Sequence, residues 1–185
     1  EQGLVELERV AQDGVRVRAS AGAASFRRKQ TLEECLAEAE AYKEQLQRER
    51  EEDPQIRDKR KQAAQERAAR ERVERIQEAI RQLPEVEAKK KAEDRKKARV
   101  STTDPDARVM KMPDGGFRPA LNIQFATDTG NQIITGFDVI NEGSDQNQLS
   151  PMLEQIHENA GKYPNDVLVD GGFTNKKEIE NCTAK

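Results

Sequence analysis

Near the start of the chain Val15, Val17 and Ala19 alternate with Arg16 and Arg18, the period of two that marks a half-buried strand. A looser alternation runs from Val5 to Val10. Asp13-Gly14 stands between the two runs and predicts a bulge or tight turn. Ser20 to Ser25 reads as a loop of small residues. The period then changes. Leu32, Leu36, Ala39, Tyr42 and Leu46 fall at helical spacing behind a capping box of Thr31 and Glu34. Asp53-Pro54 fits an N-cap followed by proline at the first helical position, which starts a second helix there. Val73, Ile76, Ile80 and Leu83 give that helix an apolar stripe, and Leu83-Pro84 ends or kinks it. Two helices joined by a short break pair as an antiparallel hairpin with a narrow seam. The seam is weakest over 59–72, where only alanines are on offer.

Beyond Val100 the pattern becomes globular again. Pro113-Asp114-Gly115-Gly116 is a turn between Val109–Met112 and Phe117–Phe125, and Asp128-Thr129-Gly130-Asn131 is a second, leading into Gln132–Val139. Together they predict an antiparallel meander. Asp145 and Gln148 suit a helix start, Leu149, Leu153, Ile156 and Ala160 its buried face, and Gly161 its cap. Val167-Leu168-Val169 is a continuous apolar run, as in a strand covered on both faces, and it ends at Asp170. Asn175 with Glu178 offers a box for a last helix. Strand, helical hairpin, strands, helix, buried strand and helix make an α/β layer opened by an insertion.

Composition predicts that part of the chain is extended or loosely packed. Charged residues are 36% and aromatics 4%, with no Trp, so little apolar surface is available for one compact core. The net charge of −3 arises from 32 basic and 35 acidic residues and by itself indicates no nucleic acid. Cys35 and Cys182 have no metal-ligand spacing and read as reduced, partly buried thiols. No apolar run reaches the ~18 residues of a membrane span, and no signal pattern opens the chain, so a cytoplasmic protein without membrane contact is expected. The first residue is Glu1 rather than Met and the last, Lys185, falls in an apparent helix, so both ends are expected to be cut.

The candidate chemistry lies in the carboxylates. An acid just past a buried parallel strand sits where open α/β sheets hold ligands, and Asp170 is there, followed by Gly171-Gly172. With a second carboxylate on a neighbouring strand end it would hold Mg²⁺ through oxygen ligands. Two such ions ~4 Å apart stabilise the attacking and leaving oxygens of a phosphodiester. Asp170 also reads as a turn residue capping its own loop. His157 reads as a structural imidazole. Lys89-Lys90-Lys91 and Arg95 to Arg99 are basic, but Glu93 and Asp94 dilute them, as on a solvated helix face.

Five stretches carry a resemblance. They are Val10-Ala-Gln-Asp-Gly-Val-Arg-Val-Arg-Ala19, Ser101-Thr-Thr-Asp-Pro-Asp-Ala-Arg108, Gly115-Gly-Phe-Arg-Pro-Ala-Leu-Asn-Ile-Gln124, Ser144-Asp-Gln146 and Val169-Asp-Gly-Gly-Phe173. In this order they resemble the successive blocks of bacterial insertion-sequence transposases of the DDE type. The resemblance implies a partial RNase H-like mixed sheet, interrupted by a charged, coiled-coil-like hairpin. The division would be 1–30 for the first strand of the core, 31–99 for the insertion and 100–185 for the rest. It implies Mg²⁺ or Mn²⁺, and cleavage and transfer of double-stranded DNA at transposon ends by a homo-oligomer. Asp170 would be the second carboxylate. Asp13, in the Asp-Gly-x-Arg block, is preferred as the first because it puts the insertion between the first two strands; Asp104 is the alternative. A third ligand, a late Glu, is expected beyond Lys185, so the fragment is expected to be inactive alone. Arg16, Arg18, Arg27, Arg28 and Lys29 would track DNA beside the first strand. The competing class is a non-catalytic DNA-binding or coiled-coil assembly module.

Overall fold

The computed structural model describes residues 4–52, 59–173 and 175–183. The chain divides into two compact units, one of residues 1–18 with 108–185 and the other of residues 19–107.

The first unit is built on a mixed sheet. Its strands are β1 (Arg9–Arg18), β4 (Arg108–Lys111), β5 (Phe117–Asp128), β6 (Ile133–Ile140) and β7 (Asp166–Leu168). β5 is central: β1 pairs antiparallel along one side of it, and β4 and β6 pair antiparallel along the other. β7 joins the free edge of β1 in parallel. The resulting order, β6-β5-β1-β7, is compatible with an RNase H-like sheet. Both predicted turns form. The first closes through Met112 N–H to Gly116 O at 2.7 Å, with Gly115 at φ +85°, a conformation that favours glycine. Helix α3 (Leu149–Ala160) crosses one face, ending at Gly161 with φ 76°. Leu149, Met152, Leu153 and Ile156 of α3 meet Leu7, Val10 and Ala126 of the sheet unit in one core. Each such side chain contributes on the order of 1.5–3 kcal/mol by leaving water. Helix α4 (Lys176–Thr183) begins as its box predicts, with Glu178 N–H donating to Asn175 Oδ1 at 3.0 Å.

Three expectations for this unit are corrected. β1 runs unbroken through Asp13 and Gly14, which pair with Phe125 and Gln124; the ladder irregularity lies instead between Ala126 and Thr127. The valines of β1 are on the open face, Val15 48% and Val17 43% exposed. Leu168 is 48% exposed, so β7 is covered on one face and not on both. Phe137 and Val139 of β6 are exposed on the same side as these valines. Alternation distinguishes the two faces of a strand; it does not say which is covered.

The second unit holds α1 (Lys29–Glu52), α2 (Lys59–Ala88) and a two-stranded ladder of β2 (Phe26–Arg27) with β3 (Val100–Ser101). The helices pack antiparallel: Leu32 clusters with Ala79 and Leu83, and Ala39 with Val73 and Ile76. Glu40 accepts from Gln77, and Arg50 pairs with Glu66 at 3.3 Å. α1 starts at Lys29 with Leu32 N–H on Arg28 O, two residues before Thr31, so Thr31 sits inside the first turn. Tyr42 is 43% exposed and outside the seam, and Ala160 is exposed on α3. α2 continues past Pro84 to Ala88, because one more turn carrying Leu83 and half-buried Val86 packs in the core with Leu32. The predicted start at Asp53-Pro54 lies outside the described residues. Among the described residues no helix is long and apolar enough to cross a membrane.

Candidate active site

The parallel pairing of β1 with β7 decides the geometry. Arg9, Val10 and Ala11 lie opposite Asp166, Val167 and Leu168. Asp13 stands two residues beyond Ala11, and Asp170 two beyond Leu168. The ladder stops at the pair of Ala11 with Leu168: Asp13 is in the middle of β1, which runs on to Arg18, whereas Asp170 lies past the end of β7. Period-two alternation places Asp13 on the face of Val15 and Val17, opposite to α3.

Both carboxylates are exposed, and each is steadied by nearby backbone: Asp13 Oδ1 accepts the Gly14 N–H at 2.8 Å, and Asp170 Oδ1 accepts the Gly172 N–H at 2.7 Å. Asp170 therefore does cap its own loop, with Phe173 N–H also returning to its carbonyl at 3.3 Å. Among the described residues neither acid is in an ion pair. Two exposed oxygen donors of this kind fit a hard divalent cation that keeps most of its waters. They make no closed cage: among the described residues no three His, Cys, Asp or Glu side chains come together to hold a metal.

Asp104 belongs to the second unit, in a turn after β3 where its N–H donates to Ser101 Oγ at 3.1 Å, and it is in no strand of the five-stranded sheet. Glu178, the acid nearest in sequence on α4, is committed: its Oε2 accepts from the N–H and Oγ of Ser150, satisfying an open donor in the first turn of α3. Of the basic candidates, Arg16 is occupied by the carbonyls of Lys111 (3.1 Å) and Gly143 (2.8 Å). Arg18 is exposed at the end of β1, while Arg27, Arg28 and Lys29 belong to the second unit. His157 stacks on Tyr163 with ring centroids 4.3 Å apart, as a structural imidazole does. Cys35 and Cys182 are half-buried thiols.

On the α3 side, behind Asp13, lies a group the sequence did not disclose. Asn122 and Gln124 are fully buried and Gln12 nearly so. Asn122 Nδ2 and Gln124 Nε2 each donate to Asp145 Oδ1 at 2.7 Å, and Gln12 Nε2 donates to Gln124 Oε1 at 3.2 Å and Gln148 O at 3.1 Å. The signal was present: amides at alternate positions of β5, on its buried side, had to find partners.

These features define an α/β domain with a mixed sheet and α3 packed on one face. Residues 85–185 match the family model of the transposase DDE domain, and the chain belongs to that family. The match runs from the last turn of α2 through α4, includes Asp104 and Asp170, and leaves β1 with Asp13 outside. No curated protein and no solved structure matches the chain.

Proposed function

We propose that Asp13 and Asp170 are the metal-holding pair of an RNase H-like transposase core acting on DNA at transposon ends. The observation that supports this is the parallel pairing of Ala11 with Leu168, because Asp13 and Asp170 each follow two residues later in their own segments. Family membership supports a transposition role and a divalent cation. When bound, Mg²⁺ or Mn²⁺ supplies charge stabilisation at phosphodiester oxygens. The chain's own part is to present one carboxylate from β1 and one from the segment that follows β7. Gly171 and Gly172 keep side chains away from that end. Asp13 is the better first ligand because Asp104 is outside the sheet.

In this reading the core is 1–30 with 100–185, and 31–99 is a coiled-coil-like insertion that serves assembly of a homo-oligomer. Arg18, Arg27, Arg28 and Lys29 are the basic residues offered to phosphate; Arg16 is the weakest of the original set because its guanidinium is already used. The setting is cytoplasmic, where chromosomal DNA is accessible. A Mn²⁺ titration followed by electron paramagnetic resonance tests the assignment. Asp13→Asn and Asp170→Asn should each weaken binding at least ~10-fold, and Asp104→Asn should leave it unchanged. Loss with Asp104→Asn but not with Asp13→Asn would transfer the first position to Asp104.

A further inference from the structure

Gly14 follows Asp13 on β1, and the space where a Cβ would stand is filled. A Cβ built there collides with Asp145 Oδ1 and with Gln124 Nε2, and comes within 3.1 Å of Asn122 Oδ1. β1 pairs normally through this point, so the glycine serves a close approach and makes no turn. Asp145 lies in the segment between β6 and α3, and the two amides at 2.7 Å fix its carboxylate against the bare backbone. Glu142 O, which accepts from Asn122 Nδ2 at 3.2 Å, and Gly143 O, held by Arg16, fasten the same segment to β5 and β1. The strand is thus gripped from behind at the residue beside Asp13, while Asp13 itself is exposed on the open face.

We infer that Asp145 is a positioning residue: its carboxylate, packed on Gly14 and held by Asn122 and Gln124, fixes the backbone that carries Asp13. This rests on the reading of Asp13 as a metal ligand. A ligand's geometry depends on what holds its support, and removing partners outside the coordination shell typically weakens metal binding 10–100-fold. Asp145→Ala removes the grip. Gly14→Ala pushes it away. Because both act on one contact, their effects should not add; in the double variant the Gln124 amide, freed of its carboxylate partner, shifts to admit the methyl.

The experiment is a double-mutant cycle on the whole chain, reading Mn²⁺ affinity and the Mn²⁺ resonance line shape, with far-UV circular dichroism to verify folding. Asp145→Ala and Gly14→Ala should each weaken binding ~10-fold, and the double variant should be no weaker than the worse single one. Asp145→Asn keeps an acceptor oxygen for the amides and should stay within ~3-fold of the parent, which serves also if either alanine variant fails to fold. Ile156→Val, a core change away from the contact, should alter the melting temperature and leave Mn²⁺ affinity alone. The inference is overturned if the folded variants bind as the parent does, if the single effects add, or if Asp145→Asn loses as much as Asp145→Ala. A parent chain that binds no Mn²⁺, or binds it equally well as Asp13→Asn, would instead remove the metal-ligand reading and this inference with it.

Discussion

The sheet unit and the hairpin unit spend polar residues in opposite ways. In the sheet, Gln12, Asn122 and Gln124 are inside, bonded to one another and to Asp145, while Val15, Val17, Phe137 and Val139 face outward. In the hairpin the apolar residues Leu32, Ala39, Leu46, Val73, Ile76 and Leu83 are buried. Its charges are outside in short-range pairs such as Glu44 with Arg48 and Glu85 with Lys89. Buried amides have few acceptable partners, so they specify one register of β1 on β5; a one-residue slip would put them in the open. Exposed i,i+4 pairs are interchangeable and specify little. The sheet unit is built for one geometry, and the hairpin for length.

Substitutions should separate the units by size of effect. The largest is expected from Ile156→Ala, a fully buried side chain under α3, at about 2–5 kcal/mol by chemical denaturation. Tyr42→Ala in the hairpin, already 43% exposed, should cost under about 1 kcal/mol. Equal losses would mean that the hairpin core extends to Tyr42. Next, Asn122→Ala deprives Asp145 of one of its two amide donors and should cost about 1–3 kcal/mol. A neutral result there would show that the buried amides do not hold the register.

Acid should have the smallest effect. Arg81, donating to Glu78 with Gln82, holds that carboxyl below its ordinary 4.5; Arg118 and the Gly116 N–H hold Asp114 below 3.8. A carboxyl lowered on folding contributes stability above its unfolded value and loses it as pH falls through the folded one. Melting temperature should therefore be level from about pH 7 to 5 and begin to fall only below about pH 4.5. Both pairs are at the surface, so the decline from them is slight. A steep loss already at pH 6 would point to a different group.

What the sequence disclosed divides by range. Pro113 to Gly116, Asn175 with Glu178 and the helix stripe of Val73, Ile76 and Leu83 are short-range signals, and all appear in the fold. Asp13-Gly14 was misread as a break because the reason for the glycine, Asp145, is far along the chain. Val15 and Val17 were read as half-buried because alternation carries no information about which face a helix covers. Pro84 was read as an end or a kink because proline costs a helix bond; the helix does not end there, because packing of Leu83 and Val86 outweighs that cost. The position of Asp170 just past a strand was legible from the apolar run before it, and the parallel pairing of that strand with β1 emerged only from the fold.

The small ladder of Phe26 with Ser101 and Arg27 with Val100 bears on how fast the sheet assembles. β1 must find β5 across the whole of residues 19–107, and closing a loop costs more the longer it is. Helical hairpins form from local contacts and form early. Once α1 and α2 pair and the ladder closes, the entry and exit of that unit are side by side, and the loop left to close is only a few residues on each flank. Shortening it by about three doublings saves roughly 2 kcal/mol of closure entropy. A weakened hairpin should thus slow refolding of the sheet, even though the sheet's own contacts are intact.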